Sequence, residues 1–152
     1  MSDNIDTQEL AGCVCQSARR MTRQLTQIYD QALAPSGLTG NQFGVLSRLY
    51  GAALGGEDGL PLGVLAQRLG KHASTLNRDL KPLEALRLVT MADDAADRRV
   101  RTVRITARGR SQLQNAIPRW RKAQAQVREK LGSRATSDLK RALDDASAAL
   151  EG

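Results

Sequence analysis

The chain has 152 residues, 41% of them hydrophobic, and a formal net charge of +7 at pH 7, with 23 Lys and Arg against 16 Asp and Glu. That length suits one domain with a real core, and no apolar run reaches the ~20 residues that a membrane helix needs. Two cysteines two positions apart and a single histidine, His72, exclude a disulfide framework and a zinc constellation.

Residues 1–10 are polar, carry Asp3, Asp6 and Glu9, and are expected to fray. They do not read as a signal or transit peptide, so a cytoplasmic location is the expectation. Apolar residues then recur at Val14, Ala18, Met21, Leu25, Ile28 and Ala32 in alternating steps of four and three. This is a narrow helical stripe, of the kind that seams against a partner helix. Pro35-Ser36-Gly37 ends it. Thr39 or Gly40 opens a second helix with Phe43, Leu46, Leu49 and Tyr50 on one side, and Gly51 to Gly59 reads as a loop. That loop is Gly-rich but lacks the Gly-Lys-Ser/Thr of a phosphate-binding loop.

Leu62 to Leu69 forms a short helix with Leu62, Leu65, Ala66 and Leu69 at core spacing. Gly70 supplies the positive φ of a tight turn. The next helix starts at His72 or Ala73 and runs to about Leu86, with Leu76, Leu80, Leu83 and Leu86 inward and Ser74, Thr75, Asn77, Arg78 and Lys81 outward. Two helices joined by a short Gly-containing turn are a helix-turn-helix. Leu88 to Met91 and Val100 to Ile105 are strands around a polar tip, Ala92 to Arg99, and a hairpin placed there is a wing. Thr106 caps a long helix to about Leu131, with Leu113, Ile117, Trp120, Val127 and Leu131 on one stripe and Pro118 as an expected kink. Gly132-Ser133 breaks it, and a last helix from about Ala135 to Leu150 carries Leu139, Leu143, Ala146 and Leu150.

The positive charge is concentrated. Between Leu60 and Arg110 stand eleven cations and five anions, a field suited to a polyanion, with counterion release supplying affinity. A nucleophile-base-acid set, a phosphate loop and metal ligands are all missing, so neither catalysis nor a cofactor is expected. The fold class is mainly α with a small β-hairpin wing, a winged helix-turn-helix flanked by N- and C-terminal helices.

These residues resemble the MarR family of transcription regulators over nearly the whole chain, from about Cys13 to Leu150. The resemblance rests on Leu65-Ala66-Gln67-Arg68-Leu69-Gly70, Ser74-Thr75-Leu76-Asn77-Arg78, Leu83-Glu84, Asp94-Ala95-Ala96-Asp97-Arg98-Arg99 and Ile105-Thr106-Ala107-Arg108-Gly109. Gly37-Leu38-Thr39 with Gln42-Phe43 is similar to the family's approach to its second helix. It implies a homodimer, with residues of about 38–108 as the DNA-binding part and about 11–35 and 109–150 as dimerisation helices. Arg87 departs from the family, which usually has a left-handed Gly there. Arg87 therefore either accepts a strained φ or ends the helix differently.

A helix-turn-helix presents the N-terminal residues of its second helix to base edges. Arg78 can pair with guanine and Asn77 with adenine. Ser74 and Thr75 can reach a base or a phosphate, and Lys81 lies nearer phosphate or solvent. Arg99, with Arg98, suits a narrow minor groove, while Asp97 and Asp94 are expected to brace a wing arginine. Asp79 and Glu84 read as structural or solvated, and His72 as a residue at the helix start or against phosphate. The partners expected are double-stranded DNA, a second copy of the chain and a small-molecule effector, without a membrane. The function expected is that of a sequence-specific DNA-binding regulator, a repressor released by the effector. The four aromatics, Tyr29, Phe43, Tyr50 and Trp120, either line an effector cleft or simply pack.

Two alternatives stand beside this. Cys13 and Cys15 are expected to pack at the start of the first helix, yet Cys15 and Tyr29 resemble in position the reactive pair of the peroxide-sensing OhrR branch. Arg19 stands where that branch has a second tyrosine. A nearby cation lowers a thiol pKa, so a thiol-sensing repressor is one alternative, ahead of a Cys-x-Cys metal site across the dimer. The other is a winged module without sequence preference, which the polar Ser-Thr-Asn-Arg face argues against.

Overall fold

The computed structural model describes residues 6–151. The chain runs through α1 (Thr7–Ala11), α2 (Val14–Leu33), a 3-10 turn (Ala34–Ser36), α3 (Gly40–Leu54), β1 (Leu60–Pro61), α4 (Leu62–Arg68) and α5 (Ala73–Ala85). The hairpin β2 (Val89–Asp93) and β3 (Arg101–Ile105) follows, then α6 (Ala107–Leu131) and α7 (Ser133–Glu151).

The expectation of a frayed N-terminus is corrected at residues 7–11, while residues 1–5 lie outside the described part. The Asp6 carboxylate accepts from Gln8 N at 2.8 Å, which satisfies one orphan donor and starts a single turn. α3 begins with a reciprocal cap: Gln42 N donates to Thr39 Oγ1 at 3.1 Å, and Thr39 N donates to Gln42 Oε1 at 3.0 Å. It then runs past Gly51 to Leu54, where the glycines suggest a loop. One glycine in a helix costs only about 1 kcal/mol, and Ala52, on the same turn, is buried in the core.

The sheet has the order β1-β3-β2, all antiparallel. β1 is invisible to periodicity because two residues have no period. Leu60 pairs with Val103 and is fully buried, and Pro61, opposite Thr102, sits on the edge. The core gathers Leu46 and Leu49 of α3, Leu65 of α4, Leu76, Leu80 and Leu83 of α5, and Val89 and Val103 of the hairpin, each at most 1% exposed. Leu86, expected inside, is 47% exposed, because it is the capping residue just past α5.

α6 is docked onto the end of α5 by three residues. Thr106 Oγ1 donates to Arg87 O at 2.7 Å and accepts from Gly109 N at 2.9 Å. Gly109 is buried, and a Cβ there would lie 2.1 Å from Leu88 O, so only glycine permits the approach. α6 continues through Pro118 to Leu131. Gly132, at φ 84°, separates it from α7. No described helix is long and apolar enough to cross a membrane.

Candidate nucleic-acid interface

α4 and α5 both end in the same hydrogen-bonded turn, and the pair defines the site. After α4, Gly70 N donates to Gln67 O at 3.0 Å and Lys71 N to Ala66 O at 2.9 Å, with Gly70 at φ 63°. After α5, Arg87 N donates to Glu84 O and Leu88 N to Leu83 O, both at 2.9 Å, with Arg87 at φ 57°. The first turn uses the residue that tolerates a left-handed backbone. The second imposes it on an arginine, at a cost on the order of 1 kcal/mol. Burial of Leu88 and the Thr106 bond to Arg87 O hold it there. Of the two readings of Arg87, the strained one is the one observed.

The first turn aims α5 outward. Leu76, Leu80 and Leu83 are fully buried on one side. On the other, Ser74, Arg78 and Lys81 are exposed, and Thr75 and Asn77 are half-buried. His72 follows that turn as the residue before α5 and makes no side-chain cap. Arg101 of β3 brings Nη1 to 3.5 Å from Asn77 Oδ1, so the wing strand and the outward face of α5 form one surface. Arg101 was not among the residues singled out from the sequence. The available signal was its place at the start of a basic strand directly after the wing tip, where it is exposed.

The wing tip is built by its carboxylates, and their partners differ from those expected. Asp94 Oδ1 accepts from Ala96 N at 2.7 Å and Asp97 N at 3.3 Å, and Asp97 Oδ1 accepts from Arg99 N at 3.0 Å. Both aspartates brace backbone rather than a guanidinium. They are short side chains inside a turn, where N–H donors two or three residues on are their nearest partners. The side chains of Arg98 and Arg99 are left exposed at the tip. Arg104 instead pairs with Asp58 at 3.3 Å.

Asp79 is structural, as expected. Lys71 Nζ lies 2.7 Å from its Oδ2 and Asn41 Nδ2 donates to the same oxygen at 3.3 Å. The Lys71 hydrogen bond, above all, holds the carboxyl below the usual aspartate range. Glu84 is exposed.

A cleft of about 990 Å³ lies between α2, α3 and α6, and all four aromatics reach it. Phe43 and Trp120 stack with centroids 5.8 Å apart and planes 14° apart. Tyr29 and Tyr50 share the lining with Arg48, Arg121 and the first residues of α3, Gly40 and Asn41. Burial raises the Tyr29 phenol above its ordinary pKa.

Within this chain the cysteines do not pack as expected. Cys13 precedes α2 and is half-buried, Cys15 is exposed, and both are free. Cys15 and Tyr29 are fourteen positions apart on one helix, roughly 21 Å along its axis, so they do not meet within one chain. No group of three or more His, Cys, Asp or Glu among the described residues is placed to hold a metal.

A family profile described as the MarR family matches residues 36–100. Among solved structures, the transcriptional regulator MosR of M. tuberculosis in complex with DNA is 37% identical, with 90% of this chain and 98% of that one aligned and a TM-score of 0.74. A MarR variant of E. coli complexed with operator DNA is 17% identical, with 93% and 99% aligned and a TM-score of 0.78. CouR of Rhodococcus jostii bound to p-coumaroyl-CoA is 20% identical, with 90% and 93% aligned and a TM-score of 0.73. The last two establish the fold alone. No curated protein matches the chain.

Proposed function

The chain belongs to the MarR family, and on that premise we propose that it is a sequence-specific DNA-binding transcription regulator, a repressor released by a small-molecule effector. One observation carries the reading. α5 buries an unbroken leucine stripe and turns Ser74, Thr75, Asn77, Arg78 and Lys81 toward the same surface as the wing. Ser74 to Arg78 occupy the first turn and a half of α5, the part of a reading helix that meets base edges. Arg98 and Arg99 at the tip suit a minor groove, and Lys81 suits phosphate.

Residues of about 38–108 form the DNA-binding part in this reading, and the helices of about 11–35 and 109–150 pair two copies. Support for pairing lies in apolar groups left open on those helices: Val14 is 80% exposed, Leu143 50% and Leu150 88%. The aromatic cleft, wedged between a dimerisation helix and the start of α3, is the effector site. The matched proteins are regulators, and this reading gives the chain no reaction to catalyse. It also places the protein in the cytoplasm, with DNA.

The test is selection of duplexes from a random pool, followed by quantitative binding. Enrichment of a two-part site with half-sites ~34–36 Å apart supports a paired reader. Equal affinity for selected and random duplexes at physiological salt would instead show a module without sequence preference.

A further inference from the structure

The cleft and the reading helix are joined by a side-chain cluster that neither the charge pattern nor the DNA reading uses. Asn41 stands in the first turn of α3, Lys71 in the turn before α5, and Asp79 within α5. Lys71 Nζ donates to Asn41 Oδ1 and to Asp79 Oδ2, and Asn41 Nδ2 donates to the same Asp79 oxygen. The three close a triangle across three elements. The Lys71 and Asp79 side chains are 24% and 25% exposed, so their charge-assisted bonds are shielded more than those of an open surface pair.

Asn41 is also part of the cleft lining, next to Gly40. Gly40 N donates to Asp30 Oδ1 of α2 at 2.7 Å. The start of α3 is therefore tied on one side to a proposed dimerisation helix and on the other to α5, and the α3 residue in each tie, Gly40 or Asn41, lines the same cavity.

We propose that Asn41, Lys71 and Asp79 form a polar latch that holds the reading helix in its DNA-competent position and yields when the cleft is filled. The triangle uses one N–H and one lone pair of the Asn41 amide, and an occupant that turns or crowds that amide toward the cleft takes both bonds from Lys71 and Asp79. Losing Asn41 leaves Lys71 and Asp79 paired with each other and free of α3. The latch also accounts for an anion one position from Arg78 on a helix that approaches phosphates: Lys71 neutralises it. This rests on the reading of α5 as the DNA-reading helix and of the cleft as the effector site.

Bare electrostatics and the latch predict opposite signs. Removing a negative charge from a DNA-facing helix strengthens binding by reducing repulsion. Opening the latch weakens it. The probe is the best duplex that wild-type protein enriches from a random pool, and folding of each variant is checked by thermal melting. Asp79→Asn and Asn41→Ala are each expected to lose about five- to tenfold in affinity, with no change in the slope of log affinity against log salt. The double variant is expected to lose no more than the worse single. Tighter binding by Asp79→Asn, or additive losses, overturns the latch. So does a neutral Asn41→Ala beside a Lys71→Met variant whose salt slope falls by about one per chain, since Lys71 then binds phosphate directly.

The link to the cleft is tested with a tethered occupant. Gly44 lines the cleft one turn after Asn41, and a Cβ there has nothing within 4 Å. A helical side chain leans over the preceding turn, so the ring of Gly44→Phe covers Gly40 and Asn41. It is expected to weaken binding about as much as Asn41→Ala does, and to add nothing to Asn41→Ala. No effect in the wild-type background, or equal losses in both, overturns the coupling. A wild-type protein that enriches no duplex removes the DNA-binding reading and the latch together. Wild-type binding with any of the contrary outcomes above removes the latch alone.

Discussion

α5 and α7 are both amphipathic helices with leucines at core spacing, and they meet opposite fates within one chain. α5 places Leu76, Leu80 and Leu83 at zero exposure. α7 is longer, 19 residues against 13, and buries none of its described residues. The difference lies in what surrounds them. α5 packs against α4 and β2, and its leucines join those of α3 in one closed core. α7 packs against α6 alone of the long helices in a substantial way, and a single neighbour covers only part of a helix face. One region finishes its core in cis. The other has leucines that no described element of the chain covers, which is the ground for proposing that a second copy covers them.

The comparison breaks most visibly in the closed core. Leu80→Ala leaves a cavity among fully buried leucines and should destabilise the protein by about 2–5 kcal/mol. Chemical denaturation measures it, and a loss below about 1 kcal/mol would mean that the α5 core is not closed.

The open face should answer differently. Leu143→Glu with Leu150→Glu is expected to raise the dimer dissociation constant at least about a hundredfold, since a buried leucine contributes about 1.5–3 kcal/mol. The winged part should keep its own packing. Sedimentation equilibrium decides: an unchanged dimer, or a wild type that is monomeric at micromolar concentration, shows that this face is not the seam.

The outward side of α5 comes next in size. Arg78→Ala should cost about 1–3 kcal/mol of specific binding and leave the melting temperature unchanged. Wild-type affinity on the selected duplex would mean that another face of α5 meets DNA. At the wing, Arg99→Ala should weaken binding. If its guanidinium pairs with a phosphate, the salt slope should become shallower by about one per chain. If Arg99 reads groove shape, the loss concentrates on A/T-rich flanks. An unchanged affinity and slope would leave the tip without a role.

The smallest effect concerns Asp79. Its carboxyl titrates below the usual range because Lys71 hydrogen-bonds the charged form. The stabilisation is thus present above the unfolded aspartate pKa and is lost as pH falls through the folded one. Asp79→Asn should be less stable than wild type at neutral pH by roughly 0–1 kcal/mol, and the gap should close in acid. A gap that persists below the folded pKa would show that packing rather than charge is responsible.

Much of this was legible along the chain. The leucine spacing of α5 marks its inward side and therefore its outward one, because a helical period places residues on faces without reference to anything else. Thr39-x-x-Gln42 and Thr106-x-x-Gly109 announce helix starts through bonds made within four residues. Gly70 and Gly132 announce turns through backbone freedom. What misled were positions where the local course of the backbone decides the outcome. Asp94 and Asp97 look like braces for arginines until the turn places backbone N–H groups closer. Leu86 fits the stripe until the helix stops one residue short of it.

By itself, then, the sequence determined most of the elements, the side of α5 that faces outward and the basic character of the surface around it, which follow from local propensity, period and composition, and its motifs carried the resemblance to the family. Only the tertiary structure decided that Leu60-Pro61 is a third strand, that Arg101 reaches Asn77, that four scattered aromatics share one cleft, and that Asn41 and Asp79, 38 positions apart, share the amine of Lys71. Those are long-range contacts between side chains that carry no mutual signal along the chain, and they exist only where the packing of several helices and a short sheet brings their ends within hydrogen-bond reach.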